Sequence, residues 1–120
     1  MRAPIIRERD VLKACMDWLK IKRVFHYRQN TGAHAANYKG TDRFIRYGVP
    51  GAPDIVAVKQ LWFHERDTGL LKTVAEYVAI EVKAPSGEQS VAQKQFQANL
   101  EAAGGRYLLV HSVEELIEKW

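Results

Sequence analysis

The sequence predicts an α/β domain whose elements run α-β-β-β-α-β-α. Three observations predict it. A β-branched run, Ile55-Val56-Ala57-Val58, and a second, Tyr77-Val78-Ala79-Ile80-Glu81-Val82-Lys83, flank a turn-forming cluster and make a long hairpin. Two serine-headed capping patterns, Ser90-Val91-Ala92-Gln93 and Ser112-Val113-Glu114-Glu115, open helices on either side of a short apolar strand, Tyr107-Leu108-Leu109-Val110. Near the start, Ile5, Leu12, Cys15, Met16 and Leu19 form an apolar stripe with helical spacing.

Taken in order, Pro4 suits the first turn of a helix that ends near Ile21. Glu8 precedes Leu12 by four and Cys15 by seven, so it falls on the apolar stripe. Two readings of it stay open: a carboxylate stabilised by the helix dipole, or one that reaches an inward-facing site. Cys15 is read as a small core residue. Arg23 to Gln29 reads as a strand with basic and aromatic residues interleaved, broken by Asn30-Thr31-Gly32. Ala33 to Asp42 lacks periodicity and reads as a mobile loop, and Arg43 to Tyr47 as a short strand or edge segment.

Gly48-Val49-Pro50-Gly51 is a stiff turn that sets where Asp54 enters the sheet. Strand 55 to 64 follows, and Glu65-Arg66-Asp67-Thr68-Gly69 sends the chain back toward Lys83. Leu61, Trp62 and Phe63 at the far end are either core or a patch for self-association. Beyond Pro85-Ser86-Gly87, Phe96, Leu100 and Ala103 give the next helix its apolar face, and Gly104-Gly105 stops it. Leu116, Ile117 and Trp120 belong to the final helix.

The chain has 120 residues, enough for one domain over 1–120 with a single core. At 47% hydrophobic and 27% charged residues it has the composition of a soluble globule. No apolar run approaches the roughly 18 residues of a membrane span, and Met1 to Pro4 leads into a charged helix rather than a signal sequence. A cytoplasmic protein without a membrane partner is expected. The one cysteine excludes an internal disulfide and a Cys-based zinc cluster. His26, His34, His64 and His111 lack a ligand pattern.

The net charge of +4 is unevenly placed. Residues 1 to 46 carry eleven Lys/Arg against four Asp/Glu, a balance of +7, and the remainder balances to −3. This is either a solvated basic surface or a phosphate-binding face beside an acidic pocket. Arg28, Lys39, Arg43 and Arg46 are candidates for phosphate contacts, and Tyr38 for stacking on an unpaired base.

The acidic pocket is read from the two central strands. Side chains alternate along a strand, so Glu81 and Lys83 share one face and Ile80 and Val82 the other. Buried carboxylates are costly unless paired or bound to metal. Asp54 and Glu81, brought together by strand pairing, therefore point to a divalent-cation site with a lysine beside it, suited to metal-dependent phosphodiester hydrolysis.

An Asp at the mouth of one strand, Glu-x-Lys on the next and a Glu from the first helix resemble the PD-(D/E)XK nuclease superfamily. Within it, Gly51-x-Pro53-Asp54, Glu81-Val82-Lys83 and Ser90-x-x-Gln93, followed by Leu100 and Gly104-Gly105, resemble the virus-type replication-repair nuclease family, VRR-NUC. The resemblance covers nearly the whole chain. It implies a restriction-endonuclease-like core, a mixed central sheet flanked by helices.

It also implies roles. Asp54, Glu81 and the backbone carbonyl of Val82 would ligate Mg²⁺ or Mn²⁺, and Glu8 would hold a metal-bound water or a second cation. Lys83 would sit by the attacking water. Gln93 would orient Lys83 or a phosphate oxygen, or else simply cap Ser90. No small-molecule cofactor other than the metal is implied. Stand-alone members resemble Holliday-junction resolvases and commonly work as homodimers, which implies a structure-selective endonuclease acting on branched or duplex DNA. The connection between Asp54 and Glu81 is longer than in minimal members, through a Trp62 to Thr73 extension. Two alternatives remain: a nuclease of the same fold for linear or sequence-preferred DNA, and a non-catalytic nucleic-acid-binding module.

Overall fold

In the computed structural model the described residues are 3–29, 32–38 and 40–120, with side chains described for all of these except 32–38 and 41–47. The elements are α1 (Glu8–Ile21), β1 (Phe25–Arg28), β2 (Gly32–Tyr38), β3 (Thr41–Tyr47), β4 (Ile55–His64), β5 (Leu71–Val82), α2 (Val91–Ala102), β6 (Arg106–Val110) and α3 (Val113–Lys119). Four strands form a mixed sheet in the order β1-β4-β5-β6. The β1–β4 and β4–β5 pairs are antiparallel, and β5–β6 is parallel, joined by the α2 crossover. Within this sheet and its helices the order is the α-β-β-β-α-β-α read from the sequence.

The two faces of the sheet are covered differently. Val11, Cys15 and Leu19 of α1 and Leu116 of α3 pack on Ile55, Ala57, Val78, Ile80, Val82, Leu108 and Val110, forming the core. Cys15 is fully buried there, and burial pushes its thiol up to about 11, so it behaves as a small apolar residue. The opposite face receives α2, which lies on it only through half-buried residues, with Phe96 6.5 Å from Tyr107 between ring centroids. Ala103 is exposed and adds nothing to that contact, a correction to the apolar face read from sequence.

Three further expectations change. α1 begins at Glu8, not Pro4: Asp10 accepts a hydrogen bond from the Arg7 N–H at 2.9 Å and sets the helix start there, leaving Ile5 exposed outside it. Residues 33–38 and 41–42, read as part of a loop, belong to strands, and Lys39 between them lies outside the described residues. β2 and β3 pair antiparallel as a separate two-stranded sheet, with Gly40 at φ 75 in the turn. Leu61, Trp62 and Phe63 are not core, because β1 stops opposite Val58 and β6 pairs only with Val78 to Val82. Among the described residues the hairpin beyond Val58 is a two-stranded ribbon exposed on both faces. No helix of the described residues is long and apolar enough to cross a membrane.

Candidate active site

Sheet register decides which side chains meet. Ile55 stands opposite Ile80, so one step further out Asp54 stands opposite Glu81. In the β1–β4 ladder the same step places Gln29 opposite Asp54, and the Gln29 N–H donates to the Asp54 carbonyl at 2.8 Å. Cross-strand partners share a face, so Gln29, Asp54 and Glu81 form one row on the α2 side of the sheet. The two carboxylates meet at the open end of the hairpin, as its pairing requires.

Each member is held by a specific contact. Asp54 Oδ2 accepts from the Val82 N–H at 2.8 Å, satisfying a backbone donor that β4 no longer reaches. Glu81 is 1% exposed. Its Oε1 accepts from Gln93 Nε2 at 2.8 Å and lies 3.6 Å from Lys83 Nζ, whereas its Oε2 is buried without a hydrogen-bond partner. Gln93 also caps its helix: its Oε1 accepts from the Ser90 N–H at 2.8 Å, and Ser90 Oγ accepts from the Gln93 N–H at 3.1 Å. Because the cap uses the carbonyl end of the amide, the NH₂ end is turned toward the sheet. The cap read from sequence is made, and the free end of the amide meets Glu81 rather than Lys83.

Gly51 makes this approach possible. It sits at φ 76, and a Cβ there would lie 2.2 Å from the Ala92 carbonyl oxygen and 2.8 Å from the Gln93 nitrogen. The loop that delivers Asp54 is pressed directly onto the first turn of α2. A second brace lies deeper: Gln89 Nε2 donates to Gln97 Oε1 at 3.0 Å and to the Tyr107 hydroxyl at 3.3 Å, tying the α2 entry to β6. Gln29, Gln89 and Tyr107 were not singled out from the sequence, since each is an ordinary residue until register places it.

The electrostatics are dominated by burial. Burial raises Glu81 first, Asp54's charge adds to it, Lys83 opposes it, and Glu8 adds a further small push, leaving the carboxyl at about 8. Glu8 is exposed at the first residue of α1, near enough for its charge to reach Glu81, but it does not form a three-carboxylate group with Asp54 and Glu81. Arg28 is exposed one row from Asp54, opposite Ile55. Tyr38, Arg43 and Arg46 lie on the β2–β3 sheet with side chains outside the described residues, and Lys39 lies outside them altogether.

No family model, curated protein or solved structure matches this chain. The likeness to the VRR-NUC pattern therefore rests on the site residues themselves. Those residues suit a hard cation in one respect and are sparse in another. A buried carboxylate oxygen without a partner, facing a second carboxylate, is what a divalent ion would satisfy. Among the described residues, however, no three His, Cys, Asp or Glu side chains are grouped closely enough to hold an ion. Two carboxylates with the remaining positions left to water, backbone carbonyl and substrate phosphate is the mode typical of Mg²⁺.

Gln93→Ala should cost about 1–2 kcal/mol in urea unfolding, from the lost cap and the lost hydrogen bond to Glu81. A variant as stable as the wild type would show that neither contact matters.

Proposed function

We propose that the chain is a metal-dependent, structure-selective DNA endonuclease of PD-(D/E)XK type, acting on branched DNA such as four-way junctions in replication, recombination or repair. The observation that carries the reading is the row Asp54–Glu81, held by the Val82 N–H and the Gln93 amide, with Lys83 beside it and one Glu81 oxygen left without a partner. A cation held by Asp54, Glu81 and the Val82 carbonyl would polarise the phosphate and acidify water, chemistry needed for one of the slowest reactions enzymes accelerate, by factors up to about 10¹⁷.

The chain's own side chains have distinct tasks. Lys83, 13% exposed at its side chain, places an ammonium at the edge of the pair, where it stabilises charge developing on the phosphate and lowers the cost of deprotonating the attacking water. Gln93 fixes the Glu81 carboxylate, and the Val82 N–H fixes Asp54, so neither rotates away. Arg28, exposed at the sheet edge on the face opposite the row, and the basic first 46 residues bind the phosphate backbone. Two copies related by a two-fold axis would present two sites to two strands.

Asp54→Ala and Lys83→Ala are expected to fold and bind DNA yet lose cleavage by at least about a hundredfold. The assay is cutting of four-way junction, fork and linear duplex with Mn²⁺ and without it. Full activity in both variants would sink the site. Cutting of linear DNA alone would instead select the alternative substrate, and binding without cutting the non-catalytic module.

A further inference from the structure

Register extends the Asp54–Glu81 face along the sheet. Two positions from the site row, Tyr27 lies in the row of Val56 and Ala79, and two further on, Phe25, Val58 and Tyr77 form the next. Trp62, opposite Thr73, lies on the same face of the ribbon. The four aromatic residues are open to solvent: Phe25 is 69% exposed, Trp62 60%, Tyr27 47% and Tyr77 39%. Phe25 and Tyr27 are 6.4 Å apart between centroids, and the Tyr77 hydroxyl pKa is raised first by partial burial and then by Tyr27. Rows on one face repeat at about 6.8 Å, two residues at about 3.4 Å each, so the strip runs outward from the carboxylates without a gap in direction.

The chemistry of the strip separates it from an ordinary apolar patch. Its exposed rings alternate with polar Gln60 and Thr73, whereas Leu61, Phe63 and Val74 fall on the opposite face. Beside Phe25 opens a cleft of about 410 Å³ whose lining includes exposed Arg23 and polar Gln60, whereas Lys59 in the same lining is turned to the other face and donates to the Trp120 carbonyl. Flat rings with a cation at their border are what unpaired nucleotides need: bases stack on the rings and a phosphate meets the Arg23 charge.

We propose that Tyr27, Phe25, Tyr77 and Trp62 form a stacking platform for unpaired nucleotides, guiding a single-stranded segment to or from the Asp54–Glu81 row. The substrate class rests on the nuclease reading; the platform itself rests on the register and exposure of the four rings. A branched substrate supplies such a segment where its strands part, and the platform would then select branch points over continuous duplex.

The test compares the wild type with Phe25→Ala/Trp62→Ala, two exposed positions whose loss leaves the core intact. Fluorescence anisotropy at one fixed salt concentration, without divalent ions, measures binding of a single-stranded oligonucleotide and of a blunt duplex. Sedimentation gives the mass of each protein. Stacking contributes about 1–3 kcal/mol per base, so the double variant should bind the oligonucleotide roughly a hundredfold more weakly and the duplex as the wild type does. Equal loss on both DNAs, or an altered mass with oligonucleotide binding intact, would overturn the platform, the latter assigning the strip to contact between copies. Failure of the wild type to bind the oligonucleotide would also overturn it. Parallel cleavage assays separate this inference from the proposed activity. A selective binding loss in a protein that cuts nothing upholds the platform and rejects the nuclease, and unchanged binding in a protein that cuts does the reverse.

Discussion

Glu81→Gln should raise the melting temperature of the metal-free protein at pH 8 while abolishing cleavage. The Glu81 carboxyl is raised from an ordinary 4.5 to about 8, chiefly by burial and next by Asp54. The folded state therefore keeps a proton that the unfolded chain releases. Between about pH 4.5 and 8 the native state binds more protons than the unfolded one, so stability falls as pH rises through that window and levels off above it. This is opposite to the behaviour of a salt-bridged carboxylate. Glutamine fills the same volume, can present its carbonyl to the Gln93 amide and carries no charge to bury. It relieves a buried, incompletely bonded carboxylate, a cost on the order of 1–3 kcal/mol or several degrees in a domain of this size. At pH 5 the difference should shrink, because the wild type is then already protonated. Thermal melts at pH 5 and 8, with and without Mn²⁺, check the pattern: Mn²⁺ should raise the wild-type midpoint most at pH 8 and leave Glu81→Gln unmoved. Parallel melts across pH, with equal responses to Mn²⁺, would remove the cation reading of this pair.

The second large effect is expected at Gly51. Gly51→Ala combines a backbone at φ 76 with a Cβ placed 2.2 Å from the Ala92 oxygen and 2.4 Å from its carbon. Neither neighbour is a flexible side-chain tip; both belong to the first turn of α2. The cost of forcing a side chain into the left-handed region and of overpacking against a helix should total about 2–5 kcal/mol. Gly69→Ala is the control. Gly69 has φ 69 but open space around it, so it bears the backbone cost alone, about 1–2 kcal/mol. Urea unfolding of the two variants isolates the contact with α2, and equal destabilisation would disprove it. Gly51→Ala should also lose cleavage beyond its loss of stability, because moving α2 withdraws the Gln93 amide from Glu81.

The chemistry-bearing residues were legible as types at positions. Asp54 before a β-branched run and Glu81 and Lys83 two apart on a strand are anomalies that any alternation pattern exposes, and the structure places all three together with Gln93. Illegible were facts that depend on elements distant in sequence. Glu8 satisfied the helical stripe, but the helix starts at that residue, so its side chain is exposed while its charge still reaches Glu81. Arg43 to Tyr47 was legible as a strand, but its β2 partner was not, because Ala33 to Tyr38 carries no apolar alternation and ladder bonds are made by the backbone. The exposure of Leu61, Trp62 and Phe63 follows from how short β1 and β6 are, information that lies outside the hairpin's own sequence.

Local pattern was enough to specify the helices around β6, the long hairpin and the pair of carboxylates at its mouth, because periodicity, capping and turn residues act over a few positions. Tertiary structure decided the rest: that Gln93 turns its amide to Glu81, that Gly51 lies against Ala92, and that the rings of Phe25, Tyr27, Tyr77 and Trp62 share the carboxylates' face. These are products of strand register and helix docking, which join residues 12 (Gln93 to Glu81) to 52 (Phe25 to Tyr77) positions apart, and no local propensity encodes such a distance.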